Sequence, residues 1–161
     1  MRLEPQLNSE TLMFTKILMP TDGSPCSFAA AQYARDLLKM NSSALLTILH
    51  VRRKPEHTYR VYRWTEVEVP FSEEVKRRIC EAEERFLSQT EKVFGDAGFV
   101  TDTDLVVGAP AEEICDYAEK GGYDLIVMGS HSAGEVKSVF AGSVSHHVVH
   151  LAKCPVLIVK G

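Results

Sequence analysis

The sequence predicts an α/β fold: a single doubly wound sheet of five parallel strands with helices on both faces. Three observations predict it. Short apolar runs alternate with longer helical patterns from Phe14 to Lys160, the order that builds parallel sheets with right-handed crossovers. The runs are near-continuously apolar, as strands covered on both faces are. A chain of 161 residues suits one domain with one core, and neither a repeat nor a second domain is visible.

Residues 1–13 are polar and without pattern and read as a flexible N-terminal extension, with the domain expected over 14–161. The first strand is Phe14 to Met19 (FTKILM), and Pro20-Thr21-Asp22-Gly23-Ser24 turns the chain. Ser24 then Pro25 supplies an N-cap and a first-turn proline. The helix they open runs to about Met40, with Ala30, Ala34, Leu37 and Leu38 on one face. Asn41-Ser42-Ser43 breaks it before the second strand, Ala44 to Val51. Arg52 to Phe71 shows no clear period and reads as a functional loop, a lid or a disordered segment.

Ser72 to Gly95 is a long helix, with Val75, Ile79, Ala82, Phe86 and Val93 spaced for one apolar face. Glu73–Arg77, Glu74–Arg78 and Glu81–Arg85 stand at i,i+4 on its wet side. The third strand is Phe99 to Val107. Gly108-Ala109-Pro110 then opens a helix with Glu112 and Glu113 in its first turn, where acids suit the dipole. Gly121-Gly122 stops that helix before the fourth strand, Tyr123 to Met128. Gly129 to Ala141 is a loop, Gly142-Ser143 opens a helix to about Ala152, and Pro155 to Lys160 is the fifth strand.

Composition narrows the function. The chain is 45% hydrophobic and 25% charged with a formal net charge of −4, so it has no global electrostatic reason to bind nucleic acid or an anionic membrane. No run approaches the length of a membrane span, and the N-terminal segment lacks the apolar core of a signal peptide. Cys26, Cys80, Cys115 and Cys154 form no C-x-x-C pair, which argues against zinc and thioredoxin-like sites and for four small buried residues in a reducing cytosol. A cytoplasmic protein is expected.

Ligands of open parallel sheets bind beyond the carboxyl ends of the strands, where the strand order reverses. Two turns suit that position: Pro20-Thr21-Asp22-Gly23-Ser24 after the first strand and Gly129-Ser130-His131-Ser132 after the fourth. The second leads to Gly142-Ser143-Val144-Ser145 at a helix start, where free N–H groups and the dipole suit phosphate. Asp22 fits a nucleoside hydroxyl, a base amine or Mg²⁺. No G-x-x-x-x-G-K-[ST] is present, since Glu135 stands where the lysine belongs, and no G-x-G-x-x-G follows the first strand. Taken alone, a Gly-Ser turn before a helix is more often plain capping than phosphate binding.

PTDGS after the first strand, LHV ending the second, VVGAPAEEI after the third and DLIVMGSH…GSVS…CPVLIVK at the end together resemble the universal stress protein family, over nearly the whole of Phe14 to Lys160. The resemblance implies a sheet of order 3-2-1-4-5, with the first and fourth strands side by side at the switch point. It also implies an adenine nucleotide (ATP, ADP or AMP), with Mg²⁺ as an option, held through a Gly-x2-Gly-x9-Gly-[Ser/Thr] loop. Gly129 and Gly142-Ser143 match that loop at the right spacing, whereas Ser132 replaces its second glycine and Glu135 brings a negative charge close by. The same resemblance carries Pro20, Thr21, Asp22, Val51, Met128, Gly129, His131, Ser132, Gly142, Ser143, Val144 and Ser145 into the nucleotide site. Asp22 falls at the adenine–ribose end and Val51 on the adenine. Dimerisation through the last strand, Val156 to Val159, is also implied, and an apolar sheet edge there invites it.

Two further features stand apart. His146 and His150 are one helical turn apart, a spacing that can hold a metal, but no acid or cysteine nearby completes a site and none is assigned. Arg52, Arg53, Lys54, Arg60 and Arg63 are interleaved with Tyr59, Tyr62 and Trp64, a mixture that reads as a lid or partner-facing loop ahead of a single-strand binder. Three functions follow: a stress-related nucleotide sensor or switch, a slow ATPase, or a relative acting through protein contacts alone. No catalytic residue is assigned.

Overall fold

The computed structural model describes residues 14–53, 58–62, 65–68, 72–130 and 144–160. In chain order these form β1 (Lys16–Pro20), α1 (Pro25–Met40), β2 (Leu45–Arg52), β3 (Thr58–Tyr62), β4 (Thr65–Glu68), α2 (Glu73–Gly95), β5 (Asp102–Val107), α3 (Pro110–Gly121), β6 (Leu125–Ser130), α4 (Val144–Leu151) and β7 (Val156–Lys160). The main sheet has the order β5-β2-β1-β6-β7 and every neighbouring pair is parallel. Counted along the main sheet alone, this is the expected 3-2-1-4-5. Residues 1–13 lie outside the described residues.

Side-chain alternation on the central strands splits the interior into two layers. Ile17 and Met19 of β1 and Leu125 and Val127 of β6 pack with Ala30, Ala31, Ala34 and Leu38 of α1 and Phe94 of α2. Leu18, Ile126 and Met128 point to the other face and meet Ile114 and Ala118 of α3 and Val148 of α4. Strands buried on both faces need no polar alternation, which is why their sequences read as continuous apolar runs.

Local chemistry sets the helix ends. Ser24 caps α1, its hydroxyl accepting from the Ser27 N–H at 3.2 Å. Ser72 does the same for α2 through the Val75 N–H at 3.3 Å. Gly122 ends α3 at φ 66°, the left-handed conformation that glycine adopts without a Cβ clash. At the amino end of the sheet, the Asp124 carboxylate accepts from the Thr15 N–H at 2.9 Å, the Thr15 hydroxyl at 2.7 Å and the Lys16 N–H at 3.0 Å. Burial pushes this carboxyl up, but those hydrogen bonds outweigh it and hold it below its usual range.

Several expectations shift. The stretch after β2 holds an antiparallel β3–β4 hairpin where no period was read. Arg52 belongs to β2, and its guanidinium turns into a part-buried ion pair with Glu83 rather than joining a basic loop. Along α2, Val75 and Ile79 lie at the solvent, and the buried positions are Glu83, Thr90 and Phe94. The helix meets the sheet through its carboxyl-terminal half, so the apolar spacing of its first turns faces water. Glu73 pairs with Lys76 at 2.7 Å instead of Arg77, while Glu74–Arg78 forms at 2.9 Å as expected. β5 starts at Asp102, leaving Val100 exposed, and β6 starts at Leu125. The two edges of the main sheet differ: β5 carries exposed Asp102, Thr103 and Asp104, whereas β7 carries Val156, Leu157 and Ile158.

Candidate functional site

The order of the main sheet reverses between β1 and β6, and a crevice of about 340 Å³ opens beyond their carboxyl ends. Leu49 and Val51 of β2, Met128 of β6 and Ile114 of α3 give it an apolar floor. Pro20, Thr21, Asp22 and Ser24 form one wall, and Gly129, Ser130, Val144 and Ser145 the other. Arg53 and Pro110 stand at the rim.

Three helix amino termini reach this crevice: the Ser24 cap of α1, Pro110 of α3, and Val144 with Ser145 of α4. Helix amino termini present unpaired N–H groups and a partial positive charge. Glu112 and Glu113 already answer that charge at α3, but α1 and α4 carry no acid in their first turns. The crevice thus joins an apolar slot to two helix amino termini without an acid in their first turns, which suits a flat apolar group bearing an anion.

Local hydrogen bonds fix the first wall. The Thr21 N–H donates to the Leu49 carbonyl at 2.9 Å, continuing the sheet into the turn. The Thr21 hydroxyl donates to Ser27 Oγ at 3.1 Å, and Ser27 Oγ–H donates to the Ser24 carbonyl at 2.8 Å. Asp22 Oδ1 accepts from the Ser24 N–H at 3.0 Å. Gly23 takes φ 76°, and a Cβ there would stand 2.7 Å from Phe86 Cγ.

Below the turn lies a buried polar cluster. His50 Nδ1–H donates to the Thr21 carbonyl at 3.0 Å, and Nε2 lies 3.2 Å from Glu83 Oε1. Arg52 Nε–H reaches both Glu83 oxygens, at 2.9 and 3.0 Å, and Arg52 Nη2 also pairs with Oε2. The Phe86 ring stands edge-on to His50 at 4.9 Å. Burial pushes the Glu83 carboxyl up, but the hydrogen bonds from Arg52 and His50 outweigh it and hold the group below its usual range. The cluster therefore ties α2 to the crevice wall through one carbonyl.

Eight of the twelve residues expected at the site line this crevice: Pro20, Thr21, Asp22, Val51, Met128, Gly129, Val144 and Ser145. His131, Ser132, Gly142 and Ser143 lie outside the described residues. Gly129 also has a packing reason, since a Cβ there would sit 2.3 Å from the Cys26 carbonyl oxygen and 2.9 Å from the Ser27 nitrogen. The lining also holds Ser24 and Ser130, which belong to the two turns singled out in the sequence, and Ser27, Leu49, Arg53, Pro110 and Ile114, which sequence reasoning missed. Leu49 was within reach, two residues from Val51 on the same face of one strand; Ile114, one helical turn beyond Pro110, was too. Burial pushes the Cys115 and Cys154 thiols up, away from the nucleophilic thiolate. Among the described residues no cluster of three metal-binding side chains occurs, and no helix is long and apolar enough to cross a membrane.

Comparison with known proteins agrees with this geometry. The model of the universal stress protein family matches residues 13–160. The chain is 36% identical over 150 residues to universal stress protein YxiE of Bacillus subtilis, covering 92% of this chain and 100% of that one. It is 31% identical over 158 residues to universal stress protein MJ0577 of Methanocaldococcus jannaschii, covering 93% and 97% of the two chains. A solved structure of MJ0577 superposes with a TM-score of 0.72 over 93% of this chain and 98% of that one, at 33% identity. A universal stress protein solved in complex with cAMP superposes at a TM-score of 0.66 and 22% identity, over 92% of this chain and 98% of that one. One from Archaeoglobus fulgidus in complex with dAMP gives 0.63 and 19%, over 92% and 100%; at these identities the likeness is one of fold. A matching family model over almost the full length, two relatives above 30% identity and the switch-point crevice lead to one conclusion: this chain belongs to the universal stress protein family.

Proposed function

We propose that the protein binds an adenine nucleotide in the switch-point crevice and acts as a stress-response sensor or switch. The observation that carries this is the pairing of an apolar floor (Leu49, Val51, Met128) with the amino termini of α1 and α4, neither of which has an acid in its first turn, in one crevice. The base lies on Val51 and Met128, Asp22 accepts from a ribose hydroxyl or a base amine, and the N–H groups at Val144 and Ser145 receive phosphate. The loop pattern Gly129…Gly142-Ser143 extends the phosphate contacts. Two fold neighbours solved with cAMP and dAMP support an adenylate as the ligand. ATP, ADP and AMP all fit the reading, with Mg²⁺ held between Asp22 and the phosphates when a polyphosphate binds. The functional unit is the domain 14–161, paired as a homodimer through β7 in the cytoplasm.

Ser132 favours a second reading. It stands at the second glycine position of the nucleotide-loop pattern, and a family member without phosphate binding would work through protein contacts. Calorimetric titration of the purified protein with ATP and with AMP, each with and without Mg²⁺, separates the two. Denaturing a portion first tests for carried-over nucleotide. Micromolar binding, or co-purified adenylate, supports the nucleotide reading; no heat at millimolar ligand overturns it in favour of the second.

A further inference from the structure

Helix α4 carries three exposed histidines on the side away from its buried residues Ser145 and Val148. His146 and His150 stand one turn apart, with ring centroids 4.5 Å apart and ring planes inclined at 69°. Their Nε2 atoms face each other at 3.3 Å. That is long for a hydrogen bond between two imidazoles. It equals the edge of a coordination tetrahedron, because two nitrogens bonded to one ion at 2.0–2.1 Å lie about 3.3–3.4 Å apart. The His147 ring is 6.3 Å from that of His146 and turns elsewhere.

We propose that His146 and His150 chelate one divalent transition-metal ion through their Nε2 atoms, at a surface site separate from the crevice. The donor set defines the class of ion. Two neutral imidazoles suit Zn²⁺, Ni²⁺ and Cu²⁺, whereas Mg²⁺ and Ca²⁺ require oxygen ligands. Among the described residues no third histidine, cysteine or carboxylate joins the pair, so the described residues supply two of the ligands. The chelate spans one turn of the short helix that also delivers Val144 and Ser145 to the crevice wall. An ion bound only by the folded helix stabilises it by mass action.

The test uses the untagged full chain, stripped of metal and kept reduced. Ni²⁺ is titrated calorimetrically into the wild type and into His146→Ala, His150→Ala and His147→Ala, with Mg²⁺ as the contrasting ion. All three side chains are exposed, and circular dichroism checks that the variants fold. One Ni²⁺ per chain is expected, unchanged in His147→Ala, weakened at least about tenfold in each of the other two, and undisturbed by excess Mg²⁺. Histidine ¹⁵N spectra with one equivalent of Zn²⁺ should move the Nε2 resonances of His146 and His150 together. Absence of binding to the wild type, or wild-type affinity retained in the His146→Ala and His150→Ala variants, overturns the proposal; the latter would move the ion to the thiols or to His147.

Discussion

Glu83→Gln removes the charge at the centre of the cluster beneath the crevice while keeping the side chain's shape. Glu83 is 9% exposed at its side chain, accepts from Arg52 and lies 3.2 Å from His50 Nε2; Arg52 is 34% exposed. Breaking a fully buried pair by removing one partner costs about 3–5 kcal/mol. Water reaches the Arg52 guanidinium and recovers part of that, so the expected loss is about 2–3 kcal/mol. For a domain of this size that lowers Tm by roughly 5–10 °C. Urea unfolding followed by circular dichroism measures it, with Glu84→Gln on the exposed side of α2 as a control expected within about 0.5 kcal/mol of wild type. The pH dependence adds a sign. Because the folded state holds the Glu83 carboxyl below its usual value, its stabilisation is full above the unfolded carboxyl range and fades as pH falls through the folded value. The gap between wild type and variant should therefore narrow from pH 7 into the acid range below about pH 4. A loss under about 0.5 kcal/mol, or a gap constant with pH, would refute the reasoning.

Other substitutions probe separate features. Gly129→Ala drives a Cβ into the first turn of α1 and should cost about 1–3 kcal/mol through overpacking, seen as a lowered urea midpoint even without ligand; an unchanged midpoint would leave Gly129 with a ligand role alone. Gly122→Ala meets no neighbour within 4 Å but keeps φ 66°, so about 1 kcal/mol is expected from backbone strain alone, measured the same way. Asp124→Asn loses the charge that receives the Thr15 and Lys16 N–H groups, and the destabilisation should likewise shrink in acid, read from the pH dependence of Tm. Val51→Asp places a carboxylate on the crevice floor and should weaken AMP binding more than about tenfold by calorimetry with the fold retained.

What the sequence made legible was local. Continuous apolar runs marked four of the five strands of the main sheet, and Ser24-Pro25, Pro110 and Gly121-Gly122 marked helix ends, because caps and turns depend on residues near in sequence. The hairpin was missed although Tyr59 and Val61, and Thr65 and Val67, follow a two-residue period; each run is too short to stand out beside charged neighbours. The exposed Val75 and Ile79 misled because helical spacing marks a face without saying how far along the helix its partner extends. The His50–Glu83–Arg52 cluster left no signal at all. Its partners are 33 and 31 residues apart, and a buried glutamate on an acid-rich helix looks like any solvated one until the sheet puts an arginine beside it.

The unequal edges of the main sheet set a limit on growth. β5 exposes Asp102 and Asp104, so two such edges repel, whereas β7 offers Val156, Leu157 and Ile158. Two copies that meet at β7 pair the apolar borders of their main sheets and turn the acidic borders outward. Association along the sheet then terminates at two chains by symmetry, where two inviting borders would have allowed an endless ribbon.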